Sequence, residues 1–598
     1  MQRHHSFKAV PQRRGTILLM VLVVVVVLSL GAYAFSEYMV LETQSAALQG
    51  ETVQARALAD SGVELVAAHL GDRENLDPAT LYDNPAVYRS IVVNAEAGRG
   101  RFSVIAPVEQ DLSAQEVRFG IIDESAQLNV NSIFKLKLEE AAARQMLMGL
   151  PNMDESLADG ILDWIDEDTT RREFGAEGDE YESLSPPYTT KDGPLDSLDE
   201  LLLVRGVTPQ LLFGEDANRN GLLDPNENDG DANMPPDNAD GQLDRGWAAY
   251  LTVFSRERNI QIDGTDKIFV NNNTLSDLYD TLVEETDIQT AAFVVAFRLK
   301  GPMADPNATN PAAGGSSGGS NGTGGSTGGG SSGGGQSGSG TGGGTGTGGG
   351  TGTGGGTGGG TGGGSTASTG GSGSSGASNT AGLKQLAQGL GAAAAAGGGG
   401  PVTRAGMDLS AGATTNVNSL YDMVGVKVQV MINGVNTTLD SPWTTDPSNM
   451  NKYLPEIMNM LSTTEEKYIE GRININQARY ETLVGLPNMT EDLAYKIVSS
   501  QQYSSDGASL AGQDSDRATT GWLLTSGLTD LATIRKLDPY ITAHGDVYRI
   551  QSVGHFDRGG PTARVEAVID ATEDPPHILF SRDLSDLGRG YPRSLLSQ

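Results

Sequence analysis

Cysteine is absent from this 598-residue chain, which excludes disulfide bonds, thiolate metal sites and cysteine nucleophiles. The six histidines are scattered, and no two of them stand at the spacing of a paired metal site. Positive charge is scarce too: 41 Lys and Arg residues against 75 Asp and Glu residues give a formal net charge of −34. That charge disfavours nucleic acid as a partner. Since no nucleophile–base pair is visible either, we predict that the protein is not an enzyme.

The acidic residues concentrate between residues 154 and 244, where 25 Asp and Glu stand against 5 Lys and Arg. Like charges at this density repel one another, so such a segment either stays unfolded or is held together by bound cations. This stretch is therefore the place to look for metal sites.

Charged residues are also missing from Thr16–Phe35, which reads TILLMVLVVVVVLSLGAYAF. A helix of this length crosses the hydrocarbon core of a bilayer, about 30 Å. Four basic residues precede the run and predict a cytoplasmic N-terminus, with the bulk of the chain on the other side: Arg3, Lys8, Arg13 and Arg14. Helical spacing of apolar residues continues to Leu70, so we expect one helix of about 80 Å. A cleaved secretory signal is the alternative, but no small-x-small cleavage site follows a short apolar core.

The sequence GLPNM occurs twice, at Gly149–Met153 and Gly485–Met489, and each copy precedes an apolar helical pattern. An Asn-x-Asn motif stands before each copy, and a third such motif precedes a helix without the hairpin: Asn129 and Asn131, Asn474 and Asn476, and Asn271 with Asn273. We interpret these units as helix–turn–helix braces whose turns are set by Pro151 and Pro487. A DNA-binding helix-hairpin-helix is the alternative. Against it, Asn152 and Asn488 stand where the hairpin glycines would be, and acidic residues follow.

The sharpest motif is DANRNGLLDPNE, which matches an EF-hand calcium loop at every specified position. Oxygen ligands would come from five side chains and one backbone carbonyl: Asp216, Asn218, Asn220, Asp224 and Glu227, with Leu222 giving the carbonyl. Gly221 permits the sharp turn. Because the sequence after Glu227 is rich in Asn, Asp, Gly and Pro, no second helix is expected, and we predict a structural Ca²⁺ loop. An acidic, turn-rich loop without a metal is the other interpretation.

A second acidic group lies in DWIDEDTTRREFGAEGDEY and could form another calcium region: Asp163, Asp166, Asp168, Glu177 and Asp179. Asp163 and Asp166 are three residues apart on a predicted helix, so they share a face and repel unless a cation or Arg171 and Arg172 offset them. A solvated acidic face and a pair of catalytic carboxylates are the alternatives.

The basic leader that ends in Gly15, followed by the apolar run and a long amphipathic helix, resembles a type IV prepilin signal. The resemblance implies that prepilin peptidase cuts after Gly15 and methylates the new N-terminus, Thr16. Most pilins carry glutamate at the fifth mature position, whereas this chain has Met20. A carboxylate inside the bilayer is costly unless it is paired. Its absence suits a subunit with no neighbour to pair with, as at the tip of a fibre.

The rest of the chain resembles protein K, the minor pseudopilin of type II secretion systems. The resemblance rests on DESAQLNVN, LADGILDWIDEDTTRREFGAEGDEY, GPLDSLDELLLVRGV, RININQARYETLVGLP and the closing VYRIQSVG and ARVEAVID. It implies an α+β fold with a long membrane-spanning pilin helix, a pilin-like antiparallel sheet and a large inserted helical domain of SAM-like or helix-hairpin-helix-like type. It also implies bound calcium and an inner-membrane location with the bulk of the chain in the periplasm.

The function implied by the resemblance is to help initiate and cap the secretion pseudopilus during protein export across the outer membrane. The implied partners are other minor pseudopilins, the major pseudopilin, prepilin peptidase and the inner-membrane assembly platform. Two alternatives stay open: a DNA-binding or DNA-uptake pseudopilin, and a calcium-dependent surface enzyme or adhesin.

A change of composition marks the domain organisation, because residues 301–400 hold 44 of the 80 glycines of the chain. A stretch so rich in Gly, Ser and Thr is typical of a flexible tether. We predict these segments: a leader (1–15), the pilin helix (16–70), pilin-like strands (71–125), an inserted helical domain with acidic loops (126–300), the tether (301–400), the second part of the helical head (401–500), a C-terminal helix with pilin-like strands (501–575) and a tail (576–598).

Overall fold

The structure is a computed structural model that describes residues 16–72, 76, 79–93, 100–108, 115–136, 140–303, 402–501 and 517–596. The predicted leader with Gly15, and the predicted tether from residue 304 onwards, lie outside these residues. The described residues belong to one compact body, within residues 1–303 and 398–598.

The first helix, α1, spans Thr16–Gly71, so the long N-terminal helix is confirmed. Its most apolar window has a mean hydropathy of 2.9 and is 0% buried within the fold, so α1 is long and apolar enough to cross a membrane. Thr16 begins this helix, and Met20 lies in the exposed apolar run. Further along, one stripe with helical spacing is buried: Ala55, Ala59, Val63, Val66 and Leu70. The two halves of α1 therefore meet different surroundings.

The strands are short in the middle of the chain and long at its end. They are β1 (Ile91–Val93), β2 (Gly100–Pro107), β3 (Val117–Arg118), β4 (Ile122–Asp123), β5 (Leu128–Asn129), β6 (Leu251–Thr252), β7 (Arg256–Arg258), β8 (Ile268–Phe269), β9 (Thr403–Arg404), β10 (Met407–Asp408), β11 (Lys427–Ile432), β12 (Val435–Asp440), β13 (Leu461–Ser462), β14 (Tyr468–Glu470), β15 (Ile473–Asn474), β16 (Ile541–Thr542), β17 (Val547–Phe556), β18 (Ala563–Asp570) and β19 (His577–Asp583).

One antiparallel sheet has the strand order β1-β2-β17-β18-β19, with β3 added beside β2 and β4 beside β17. Its register places Ser552 of β17 opposite Val104 of β2 and Val565 of β18. The buried stripe of α1 shares one apolar cluster with Val104 and Val565, which lie opposite Ser552 and so on the face of the sheet that carries Ser552 against Gly62 of α1. A helix lying on an antiparallel sheet is the pilin-like arrangement that the sequence predicts.

The sheet contains a strand that the sequence analysis missed. β19 pairs with β18 and lies in residues 576–598, the segment predicted to be a tail. Its side chains are mostly exposed, because it is an edge strand with only one neighbour, so the alternation that reveals a half-buried strand is weak.

Helices follow between β4 and β17, so the helical domain is inserted into the sheet domain. The inserted helices are α4 (Glu140–Met148), α5 (Glu155–Ile165), α6 (Gly178–Glu182), α7 (Pro209–Phe213), α8 (Leu275–Glu285), α9 (Ile288–Lys300), α10 (Pro447–Met460), α11 (Tyr480–Val484), α12 (Glu491–Ser500), α13 (Trp522–Thr525) and α14 (Leu531–Leu537). Outside the insertion, α2 (Ala79–Tyr82) and α3 (Pro85–Tyr88) precede β1, and α15 (Arg593–Leu596) follows β19. The predicted α+β class is confirmed.

The helical domain, called the head below, has its own apolar core. Helix α9 lies at its centre and is buried on every side from Thr290 to Leu299. The guanidinium of Arg298 is fully buried there and donates hydrogen bonds to the carbonyl oxygen of Asn271 at 2.9 Å and to Asn416 Oδ1 at 2.8 Å. A buried charge needs such partners, and these bonds tie the chain before residue 304 to the chain after residue 401.

Candidate functional site

The head contains three similar segments, called units below. In each of them, an asparagine of the predicted motifs joins two parts of the chain that are distant in sequence. In the first unit, β5 pairs in parallel with β6. The Asn131 amide then donates to the carbonyl oxygens of Leu195 at 2.9 Å and Val253 at 3.3 Å, and its Oδ1 accepts from Leu195 N at 2.7 Å. In the last unit, β15 pairs with β16, and the Asn476 amide donates to Arg517 O at 3.0 Å and Ala543 O at 2.8 Å. One side chain thus joins the two ends of each unit.

The middle unit departs from the predicted motif in its register. There β8 pairs in parallel with β13, and Asn271 donates to Val417 O and Thr463 O at 2.9 Å. Asn271 therefore takes the place of the second asparagine of the other units, two residues after the strand. Asn273, which the motif match included, is exposed. The position of β8 determines which asparagine reaches the two carbonyls, so Asn271 and not Asn273 makes these bonds.

The two GLPNM hairpins pack against each other. A Cβ atom on Gly149 would lie 2.7 Å from Glu481 O, and one on Gly485 would lie 2.6 Å from Met146 O. Only glycine permits two helical hairpins to approach this closely. Asn152 and Asn488 adopt positive φ angles of 55° and 64°, as Asn tolerates in a tight turn. The turns therefore hold the first and last units of the head together.

The helices after the two turns have their N-termini occupied by their own side chains. Asp154 accepts from Leu157 N at 2.9 Å, and Thr490 accepts from Leu493 N at 3.2 Å. The indole of Trp247 also donates to Pro151 O at 2.8 Å. A DNA-binding hairpin offers its free N–H groups to a phosphate, and here a carboxylate or a hydroxyl stands at that place.

The Asp216–Glu227 loop folds as a tight turn that hydrogen bonds between its own residues hold closed. Asp216 accepts from Asn220 N at 3.0 Å and Gly221 N at 2.9 Å, and Gly221 has a φ of 68°. Asp224 accepts from the amides of Asn218 at 2.6 Å and Asn220 at 3.0 Å. The spacing of an EF-hand loop thus produces the turn that it predicts, and three of the candidate ligands, Asn218, Asn220 and Asp224, contact one another there.

One carboxylate of this loop lacks the partners that a buried charge requires. Glu227 is 1% exposed; its Oε2 accepts from Asp224 N at 3.0 Å, but its Oε1 is buried without a hydrogen-bond partner. Burial, with Asp216 and Asp224 nearby, raises the pKa of Glu227 to about 7. Burial also raises the pKa of Asp216. An orphaned buried oxygen among carboxylates and amide oxygens fits a hard cation such as Ca²⁺.

The second acidic group is partly neutralised by arginine. Asp163 and Asp166 both contact Arg172 Nη1, at 2.6 and 2.5 Å. They meet there although α5 ends at Ile165, so Asp166 follows the helix instead of lying within it. Beside them Glu177 is buried, and neither of its carboxylate oxygens has a hydrogen-bond partner. Burial, together with the neighbouring Asp163, Asp192, Asp166 and Asp168, raises the pKa of Glu177 to about 7.

Asp192 is a member of this group that the sequence analysis missed. Its Oδ1 is buried without a partner, as is Oδ1 of Asp166. The predicted members Asp168 and Asp179 are instead exposed, and each accepts a bond from a nearby backbone N–H, of Thr170 and Glu180. The signal for Asp192 is weak: an Asp before a Gly-Pro turn, whose φ of 50° aims the side chain inward.

Across the described ranges, no three carboxylate or imidazole side chains stand together closely enough to hold an ion unaided. An ion in the Asp216–Glu227 loop would thus also use the amide oxygens of Asn218 and Asn220 and the carbonyl oxygen of Leu222.

Comparisons with known proteins find similarity to one family. Residues 126–213 match the family model described as "Type II secretion system (T2SS), protein K". Over 211 residues the chain is 30% identical to type II secretion system protein K of Klebsiella pneumoniae, covering 33% of this chain and 60% of that relative. A 56-residue segment is 48% identical to the protein K of Aeromonas hydrophila, covering 9% of this chain and 17% of that one.

A solved structure of the GspK-GspI-GspJ complex of the type 2 secretion system of enterotoxigenic Escherichia coli is also similar. Its TM-score is 0.21 and its identity 19%, over 28% of this chain and 56% of that one. The matched part of this chain thus spans less than two thirds of these relatives. The predicted resemblance to type II secretion system protein K is confirmed, and the family model matches residues 126–213.

Proposed function

We propose that this chain is a minor pseudopilin at the tip of the type II secretion pseudopilus, where it helps to initiate and cap the fibre for protein export across the outer membrane. The observation that carries the proposal is a bulky head fixed to a pilin-like sheet whose helix continues into an exposed apolar run. The role is structural and mechanical, so it needs no catalytic residue.

The contacts between head and sheet support a fixed geometry. Arg549 of β17 contacts Glu124 at 2.6 Å, and the amide of Asn474 in the head donates to Asp123 of β4 at 2.8 Å. Arg258 of the head contacts Asp546 at 3.1 Å. Buried charge pairs of this kind hold one arrangement because breaking one leaves an uncompensated charge. A head that cannot swing away would block the addition of a further subunit above it.

The membrane and partner assignments belong to the same proposal. The exposed apolar part of α1 would anchor the chain once in the inner membrane, with the N-terminus cytoplasmic and the head periplasmic. Prepilin peptidase would cut after Gly15 and methylate Thr16. The other minor pseudopilins would then contact the chain at the tip, the major pseudopilin would extend the fibre below, and the inner-membrane platform would drive assembly.

Calcium is the proposed structural ion of the head. It would occupy the Asp216–Glu227 loop, where Glu227 Oε1 lacks a partner, and the group around Glu177, whose two oxygens lack partners as well. Bound there, it would supply the positive charge that this acidic part of the chain lacks and would hold the loops closed.

Two changes test the tip assignment. Deleting the gene should lower the number of pseudopili and the amount of exported protein, because initiation would fail. Met20→Glu, expressed in the deletion strain, should impair both, because a carboxylate without a partner would lie in the apolar run. Met20→Leu is the matched control and should restore both. Normal fibres and normal secretion in the deletion strain would contradict the proposal.

A further inference from the structure

The Asp216–Glu227 loop belongs to the head in sequence, yet it lies on the sheet. Leu222, at its seventh position, is buried in the apolar cluster that α1 and the sheet share, and not in the core of the head. A Cβ on Gly221 would lie 3.0 Å from the Cβ of Pro107, the last residue of β2. The loop is therefore a contact between the two parts of the molecule.

Side chains from two strands of the sheet donate hydrogen bonds to the backbone of this loop. Arg564 of β18 donates to the carbonyl oxygens of Asn218 at 2.9 Å and Arg219 at 3.0 Å. Gln551 of β17 donates to Arg219 O at 2.9 Å. Arg564 is fully buried, and these carbonyls give its Nη2 the acceptors that a buried cation needs.

A third contact reaches the C-terminal segment and completes a network around Gln551. The amide of Asn220 donates to Gly590 O at 2.5 Å. Tyr591, the next residue, donates to Gln551 Oε1 at 2.5 Å, and Arg564 donates to the same oxygen at 3.1 Å. The loop, two strands and the C-terminal segment thus share one set of hydrogen bonds, in which a shift of any member breaks several bonds.

The candidate ligands of the loop and the carbonyls that contact the sheet both take their positions from the same closed conformation of the loop. The side chains of Asp216, Asp224 and Glu227 accept hydrogen bonds from within the loop, while the carbonyl oxygens of Asn218 and Arg219 accept from the sheet. Asp216 and Glu227 are buried carboxylates that repel each other, and Glu227 Oε1 has no partner to offset its charge. A cation bound in the loop would remove this repulsion and favour the conformation in which the carbonyls of Asn218 and Arg219 face the sheet.

We propose that a divalent cation in the Asp216–Glu227 loop fastens the head to the sheet. Occupancy of the loop by the ion would then control the free energy needed to open β17 and β18. This inference rests on the proposed calcium loop and adds a coupling to it. Because a ligand that binds only the closed loop lowers the population of open states, β17 and β18 gain protection from hydrogen exchange whenever the ion binds.

Hydrogen exchange of the full-length protein in detergent tests this coupling, with calcium present and after chelation. At a calcium concentration of about 100 times Kd, amides of β17 and β18 near Gln551 and Arg564 should exchange about 100-fold more slowly than in chelator. Glu227→Gln should lose this difference, and Asn218→Ala serves as a second ligand variant if Glu227→Gln does not fold. Glu177→Gln, which alters the other acidic group, should keep it.

Gln551→Ala separates the coupling from metal binding, because it leaves every candidate ligand in place and removes one bridge to Arg219 O. Calcium should still slow exchange within the loop of this variant, while β17 gains less protection than in the wild type. If calcium protects the wild-type loop but leaves β17 and β18 unchanged, the coupling is wrong and the calcium loop stands. If Glu227→Gln binds calcium as the wild type does and the loop shows no protection, both are wrong.

Discussion

The first and last units of the head share one scaffold but differ in what one helix face carries. Both have the strand, the asparagine clamp and the GLPNM turn, and they meet at Gly149 and Gly485. On α5 of the first unit, Asp159 and Asp163 are fully buried. At the same distance from the turn, α12 of the last unit carries Tyr495, which is 67% exposed, and an exposed Ser499.

The difference shows which residues the shared scaffold requires and which belong only to the proposed ion site of the first unit. Asp159 is held by Arg144 at 2.6 Å, and Asp163 by Arg172, under a covering segment that also holds Glu177 and Asp192. The last unit forms the same helices without any of these charges. Instead, its Gln501 amide donates to Ile475 O and Ala478 O. The scaffold therefore does not require buried carboxylates, and in the first unit Arg144 and Arg172 compensate those on α5, whereas Glu177 stays without a hydrogen-bond partner.

The largest effect should come from breaking the contact between the two units. Gly149→Ala and Gly485→Ala each place a methyl group within 2.7 and 2.6 Å of a backbone oxygen, which cannot rotate away. Each variant should lose about 3 kcal/mol of stability, at the upper end of overpacking effects, measured by denaturant unfolding of the full chain.

A glycine in open surroundings provides the control for this effect. Gly193→Ala meets nothing nearer than 3.8 Å and should change stability little. If Gly149→Ala and Gly485→Ala unfold at the same denaturant concentration as Gly193→Ala, the two turns do not meet as described.

The second-largest effect should come from calcium, which should stabilise the first unit through Glu177 and has no such carboxylate to bind among the described residues of the last unit. The stability that the neutral Glu177 carboxyl contributes to the calcium-free fold is present below its ordinary pKa of 4.5 and is lost as the pH rises through about 7. Calcium displaces that proton, so its stabilising effect should grow as the pH rises through the same range. At about 100 times Kd the gain should approach about 2.7 kcal/mol, measured as a shift in melting temperature.

Two carboxyl variants check the assignment of this ion. Glu177→Gln should lower the calcium-dependent shift and, in chelator above pH 7, should be more stable than the wild type because an ionised buried group is gone. Asp179→Asn alters an exposed carboxylate of the same segment and should behave as the wild type. An equal calcium effect in Glu177→Gln and the wild type at every pH would exclude Glu177 as a ligand.

The asparagine clamps should be equivalent in the two units. Asn131→Ala and Asn476→Ala each leave two backbone carbonyls without a donor. A loss of about 2 kcal/mol is expected for each, because unpaired and partly buried polar groups keep their desolvation cost. Asn273→Ala, at the exposed position of the middle unit, is the control. A loss confined to one clamp would show that the units are not equivalent.

The helix caps should give the smallest effect. Asp154→Ala and Thr490→Ala each remove one side-chain acceptor from a helix N-terminus and should cost about 1 kcal/mol. Asp154→Thr, which keeps an acceptor, is the matched control and should recover most of the loss. Unfolding curves of Asp154→Ala and Thr490→Ala that superpose on the wild type would show that neither cap contributes.

Local patterns made much of this fold predictable from sequence. The apolar run of α1, the strands around Val553 and Val565 and the GLPNM turns all follow from the spacing of neighbouring residues. Contacts between distant segments did not, since nothing near Gly149 specifies that Gly485 lies against it. For the same reason the register of Asn271 was missed: its clamp depends on carbonyls far along the chain.

The candidate sites show the same limit. The Asp216–Glu227 loop could be predicted because all its oxygens lie within one short motif. Asp192 could not, because it joins Glu177 only when a segment folds back over α5, and single acidic residues give no pattern. The hydrogen bonds from Arg564 and Gln551 to the loop could not be predicted from the sequence either, since they depend on strands from the end of the chain.

The position of this chain on the pseudopilus tests the account most directly. In cells with enlarged pseudopili, gold-labelled antibody against the head should mark one end of each fibre, because a fixed head on the sheet prevents addition above it. Label distributed along the fibres, or fibres formed in normal number and length without any label, would contradict the tip assignment.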